Sequence, residues 1–218
     1  MATYVLIHGA GSDSWYWHLV APELRARGHD VVAVDLPCDD DSAGLRDYAD
    51  VVVRAAGRPE LILVAQSLAG FIAPLVCERL PVALLVLVNA MVPRPGESAG
   101  AWWAGTGHVF PDPFDPVTVF LHDVPPDVAT ESAHHVRRQS DTVFAEPWPL
   151  AAWPPVPTRV LACRDDRLFP AEFQRTVCRA RLGIVPDEIP GGHLPALARP
   201  HELARRLEGY RASIGAPS

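Results

Sequence analysis

The chain contains no run of about 18 uncharged apolar residues, so nothing in it reads as a membrane span. It has no Lys/Arg run either, and its 218 residues carry a net charge of -7 at pH 7. A field of that sign argues against nucleic acid or an anionic membrane as a partner. Cysteine is scarce: Cys38, Cys77, Cys163 and Cys178 are scattered and form no Cys-x-x-Cys pair. That pattern excludes a zinc framework or disulfide scaffold and reads as reduced thiols in a cytoplasmic protein. Met1-Ala2-Thr3-Tyr4 shows no basic stretch and no cleavage site, so no signal peptide is expected. The one charge run is Asp39-Asp40-Asp41, ahead of a helix-like stretch. With no second acidic cluster beside it, it reads as a solvated, favourable helix N-terminus rather than a metal site.

What is present is alternation. The composition, 49% hydrophobic and 21% charged, is that of an ordinary globular chain, and the length fits one domain. Short apolar, β-branched runs recur at Tyr4–His8, Asp30–Leu36, Glu60–Gln66, Ala83–Asn89, Thr158–Arg164 and Ile184–Ile189. Several are apolar on both faces, as buried parallel strands are, with room between them for crossover helices. The expected fold is α/β, a parallel sheet of about six strands with helices on both faces. Pro170 and Pro200 stand where first helical residues belong, and Gly183 where a C-cap belongs. Leu68–Leu80 is apolar on almost every side, which predicts a helix buried against the sheet, kinked or weakened at Pro74. Residues 92–157 break the rhythm with Pro, Gly, Trp and four of the nine histidines. A structureless loop of that length is unusual in a compact domain. Short helices forming a lid over the carboxyl edge of the sheet are expected there, with residues 1–91 and 158–218 as the core.

Three features carry chemistry. Ala65-Gln66-Ser67-Leu68-Ala69-Gly70 sits where a strand meets the buried helix. A serine on such a turn is lifted above the sheet, and the residues two before and two after it must be small. Taken alone, a serine capping a helix is the plainer reading. Ile7-His8-Gly9-Ala10-Gly11 follows the first strand, and a glycine-rich turn there can aim a backbone N–H at a developing oxyanion. With the N–H after the serine as second donor, Ala10 and Leu68 are the expected oxyanion-hole residues. His8 belongs to the packing of that turn. Asp165 and Asp166, of equal chemical standing, follow the fifth strand, and Gly191-Gly192-His193 follows the last. The chain order Ser, Asp, His is the one a triad on this kind of sheet requires, because the carboxyl ends of the strands gather at one edge. In the lid, Trp102, Trp103, Phe110 and Phe114 are candidate substrate contacts, with Trp148 and Trp153 able to join them. Packing of these rings onto the core is the equal alternative. His108, His122, His134 and His135 read as surface or lid residues.

With these residues in place the chain resembles the α/β-hydrolase fold family over nearly its whole length, without the N-terminal antiparallel strands of larger members. Within it the chain is similar to the group of plant methylesterases and hydroxynitrile lyases. The matching stretches are Val5-Leu6-Ile7-His8, Trp15-Tyr16-Trp17-His18, the run from Gly28 to Leu36, and the run from Asp166 to Gln174. In that group the acid opens an Asp-x-x-x-Pro pattern, which Asp166 begins and Asp165 does not. The resemblance thus implies Ser67 as nucleophile, His193 as general base and Asp166 as the acid that orients it. The lyases carry Thr where Gly9 stands and Lys where Leu194 stands, both used on cyanohydrin, so ester hydrolysis is implied instead. The implied protein is a serine hydrolase of the carboxylesterase class, taking a small-molecule ester, with no metal or organic cofactor. The alternatives are a non-hydrolytic enzyme on the same triad, such as a lyase or cyclase of secondary metabolism, and a ligand-binding protein with little catalysis. The sequence leaves a homodimer open.

Overall fold

The computed structural model describes residues 1–57 and 60–214. Six strands form one sheet: β1 (Thr3–Ile7), β2 (Asp30–Val34), β3 (Leu61–Gln66), β4 (Val82–Val88), β5 (Thr158–Cys163) and β6 (Asp187–Ile189). Their order is β2-β1-β3-β4-β5-β6, and every neighbouring pair is parallel. All six expected runs are strands. The last is shorter than expected, beginning at Asp187 instead of Ile184. Val185 is exposed, and Pro186 has no N–H to give a ladder.

The strands are apolar on both faces because both faces are covered. Tyr4, Leu6, Ile62, Val64, Leu84 and Val86 pack against α1 (Val20–Ala26) and, later in the chain, the C-terminal helix. Their alternates Val5, Ile7, Leu63, Ala65, Leu85 and Leu87 pack against α2 (Leu45–Ala56) and α3 (Ala73–Cys77). The connection from β4 to β5 holds four short helices, α4 (Ala99–Gly105), α5 (Pro116–Phe120), α6 (Pro126–Ser132) and α7 (Thr142–Ala145). Then α8 (Ala171–Leu182) links β5 to β6, and α9 (Pro195–Ala198) and α10 (Pro200–Ala212) close the fold. Gly183 ends α8 with φ 68, in the left-handed region that favours glycine.

Three expectations are corrected. The segment Leu68–Leu80 is not one kinked helix: a 3₁₀ helix, Ser67–Phe71, gives way to α3, which starts one residue before Pro74. Proline in a first turn costs no intrahelical hydrogen bond, so the chain restarts there instead of bending. Pro170 caps α8 rather than beginning it, while Pro200 does begin α10. The run Asp39-Asp40-Asp41 does not open α2, whose N-cap is Gly44. Asp39 and Asp41 instead pair with Arg137 and Arg138 at 2.6 and 2.8 Å, which fastens the β4–β5 connection to the end of β2.

That connection is also pinned from inside. The indole N–H groups of Trp102, Trp148 and Trp153 donate to the carbonyls of Val92, Phe71 and Pro93 at 3.0–3.1 Å. Arg181 on α8 pairs with the Glu97 carboxylate, and both side chains are largely buried. Cys38, Cys77, Cys163 and Cys178 are free thiols. Among the described residues no helix is long and apolar enough to cross a membrane.

Candidate active site

The end of β3 carries Ser67 over the carboxyl edge of the sheet. Its φ of 53 lies in the left-handed region, a conformation that costs a non-glycine residue about 1–3 kcal/mol and persists only where the surroundings impose it. They do so here by close packing. Ala65 and Ala69 are fully buried, Met91 N–H donates to the Ser67 carbonyl at 3.0 Å, and a Cβ on Gly70 would lie 1.9 Å from the Met91 carbonyl oxygen. The neighbour is backbone and cannot rotate away. Gly70→Ala is therefore expected to destabilise the fold by about 3 kcal/mol, lowering Tm by roughly 10 °C in a thermal melt.

Ser67 Oγ lies 3.1 Å from His193 Nε2, and His193 Nδ1 lies 2.8 Å from Asp166 Oδ2. The other carboxylate oxygen of Asp166 accepts from the N–H groups of Leu168 and Phe169, each at 2.8 Å. The carboxylate is buried, so these donors fix its rotamer and leave Oδ2 for the imidazole. Asp165, equal to it by chemistry, is used elsewhere: its Oδ2 accepts from Gly191 N–H at 2.9 Å. The two aspartates thus divide the work, one holding the ring of His193 and one its loop.

Residues that sequence reasoning missed complete the hold on that loop. Asn89, buried at the end of β4 with φ 44, is the only asparagine in the chain. Its amide N–H₂ faces the carbonyls of Gly192 and His193 at 3.1 and 3.3 Å, and its oxygen accepts from Cys163 N–H at 2.8 Å. Gln66 donates to the same His193 carbonyl at 3.2 Å. Asp123 accepts from Gly192 N–H at 2.9 Å. A lone asparagine outside any spacing pattern gives no signal in sequence, except that it tolerates a left-handed backbone better than most residues do.

Beside Ser67 lies the turn from Gly9 to Gly11. His8 is buried, which pushes its pKa down and keeps the ring neutral. Leu36 N–H donates to Nε2 at 3.1 Å, so the proton sits on Nδ1 and is donated to the Gly9 carbonyl at 2.7 Å. That carbonyl and the Ala10 N–H share one planar trans peptide, so holding the first aims the second the opposite way. Ala10 N–H has no acceptor among the described residues, and Leu68 N–H falls in the first turn of its 3₁₀ helix, where no intrahelical acceptor exists.

Ser67, His193, Ala10 and Leu68 all line a cavity of about 500 Å³. Its walls are largely apolar and include Trp103 and Phe110. Two expected contacts are absent. Trp102 is turned away and packs at 5.2 and 5.6 Å on Phe169 and Phe173, because neighbours on a helix diverge by about 100°. Phe114 packs against Phe110 and Phe120 in tilted and edge-on contacts, outside the lining. Trp148 and Trp153 are packing residues. In the other direction, His135 belongs to the lining, stacked 4.3 Å from Trp15 and 2.9 Å from Asp13. Its neighbour His134 does not line it.

Residues 4–206 match the sequence profile of the alpha/beta hydrolase family. The chain belongs to that family. Over 110 residues this alpha/beta hydrolase is 36% identical to a rice protein (Oryza sativa subsp. indica) named as a probable esterase. That match covers 44% of this chain and 42% of the rice protein, so under half of the relative's length is represented. It is 21% identical to norfluorocurarine synthase 1 of Strychnos sp over 249 aligned positions, covering 94% and 93% of the two chains. In three dimensions the hydrolase superposes on a crystal structure of polyneuridine aldehyde esterase with TM-score 0.80 at 21% identity, covering 97% of this chain and 99% of that one.

Proposed function

We propose that this alpha/beta hydrolase cleaves a small, neutral carboxylic ester through an acyl-enzyme on Ser67. The observation that carries the reading is the unbroken line of hydrogen bonds from Ser67 through His193 to Asp166, ending in an apolar cavity beside the unengaged Ala10 N–H. Ser67 Oγ attacks the carbonyl carbon while its proton passes to His193 Nε2. Asp166 holds the ring and stabilises the imidazolium. The N–H groups of Ala10 and Leu68 receive the oxyanion. His193 then protonates the departing alcohol and takes a proton from water as the water oxygen attacks the acyl carbon; when the Oγ–C bond breaks to release the acid, His193 returns that proton to Ser67 Oγ and the serine is restored.

Residues 92–157 serve in this reading as the lid, with Trp103 and Phe110 touching substrate. The absence of room at Gly9 favours ester chemistry: a Cβ there would lie 2.4 Å from Gln66 Oε1 and 2.9 Å from Ser67 Cβ. The threonine that cyanohydrin lyases of the resembling group carry there would have to displace the Gln66 amide and press on Ser67 Cβ. The four free thiols fit a reducing, cytoplasmic setting. A second reading, non-hydrolytic use of the same three side chains, is favoured by the near full-length match to a synthase.

Treatment with a fluorophosphonate followed by peptide mapping tests the proposal. A single adduct on Ser67, with hydrolysis of short p-nitrophenyl esters, is expected. An adduct without ester hydrolysis transfers the case to the second reading, and no adduct on folded protein ends both.

A further inference from the structure

The chain holds four carboxamide side chains in all: Asn89, Gln66, Gln139 and Gln174. Three of them make up one cluster behind the His193 loop. Asn89 and Gln66 bond the His193 loop, and Gln174 donates to the Asn89 oxygen at 3.3 Å and to the Phe169 carbonyl at 2.7 Å. Gln139 is the exception in place. It comes from the β4–β5 connection, and its Oε1 accepts from Gly11 N–H at 3.0 Å.

The peptides after Gly9 are held one by one. His8 fixes the first, as described above. Gln139 fixes the second through Gly11 N–H, and Arg137 N–H fixes the third by donating to the Gly11 carbonyl at 2.9 Å. Gly11 has φ 62, so its neighbours alone do not set this path. Gln139 is itself anchored: its amide N–H₂ donates to the buried Tyr48 hydroxyl at 3.1 Å and to the Ser140 carbonyl at 3.2 Å. The strand of chain around it has independent ties, from Ser140 N–H to the Cys38 carbonyl and from Arg137 to Asp39. Removing the amide therefore leaves the connection tied at Ser140 and Arg137, frees the turn at Gly11, and takes one donor each from the Tyr48 hydroxyl and the Ser140 carbonyl.

We infer that Gln139 is a positioning residue for the oxyanion turn, coupling residues 92–157 to the reacting centre rather than merely covering it. The inference rests on the ester-hydrolysis reading. A donor displaced by a fraction of an ångström loses the developing charge while substrate binding is untouched, since no part of Gln139 lines the cavity.

The test compares Gln139→Met, close in volume and without an acceptor, with Gln139→Glu, which keeps one and lets the Tyr48 hydroxyl donate. The expected result for the Met variant is a kcat lower by roughly 10- to 100-fold with KM within threefold. A trifluoromethyl ketone, which forms a tetrahedral adduct on the serine, should weaken in step with kcat, while the matching methyl ketone should not. The Glu variant should recover most of the rate. A Met variant within twofold of wild-type kcat overturns the inference, as do equal losses for both ketones or a collapse of Tm. These outcomes are separable from failure of the parent reading. If Ser67 of the wild-type protein takes no fluorophosphonate, both fall; if it labels and Gln139→Met is unaffected, this one falls alone.

Discussion

Ser67→Ala will lose about a millionfold in kcat on any ester the wild-type protein turns over. The loss is chemical, not conformational. Alanine meets the same left-handed backbone as serine, and the methyl group fits the space the Cβ already occupies. Only the contact to His193 Nε2 disappears. The tight contacts that shape the turn, Gly70 on the Met91 carbonyl and Met91 N–H on the Ser67 carbonyl, do not involve the hydroxyl. Residual turnover of roughly 10³–10⁴ over water should survive, supplied by the N–H donors and by binding. Steady-state kinetics beside a thermal melt check this. A variant within tenfold of wild type would show that Ser67 is no nucleophile.

Asp166→Asn is expected to lower kcat by about 10⁴-fold with the fold intact. The reason lies in the other two hydrogen bonds. Leu168 and Phe169 N–H groups require an oxygen, so the amide must turn its N–H₂ toward His193. A donor now faces Nδ1, and the ring answers by moving its proton to Nε2, the atom that has to accept from Ser67. The imidazole stays in place in the wrong tautomer. Nitrogen-15 shifts of His193 report that directly, and kcat measures its cost. Unchanged kcat with the proton on Nε2 would refute the assignment of His193 as base.

The architecture was legible because burial on both faces writes itself into a strand as an unbroken apolar run. Several such runs located the inner strands, the sixth was found with a later start because only Ile189 of Asp187–Ile189 is buried, and the chain order of Ser67, Asp166 and His193 located their convergence. What stayed hidden depends on single residues without periodicity. Trp102 and Trp103 are adjacent and identical in type and both touch Phe169, yet Trp102 turns on to Phe173 and Trp103 lines the cavity; only the rotation of α4 decides. The acidic run Asp39-Asp40-Asp41 looked like a helix cap because its partners, Arg137 and Arg138, lie about a hundred residues away. Asp165 and Asp166 could not be told apart by chemistry because both do accept hydrogen bonds from the last loop, from a backbone N–H and from a ring. His135 gave no signal at all, since a stacked histidine is defined by its neighbour Trp15.

The charges around the cavity bear on what happens after the chemistry. Arg137 is the one guanidinium in the lining, and it is already committed to Asp39 and the Leu36 carbonyl, as His135 is to Asp13. A neutral ester gains from the surrounding rings and aliphatic groups. The acid made from it is an anion that finds no uncommitted guanidinium on the described walls, only the N–H groups of Ala10 and Leu68, and a carboxylate so incompletely paired is disfavoured in such surroundings. On the proposed reaction the chamber thus grips the neutral ester that enters more firmly than the anionic acid made there, which favours release of the product.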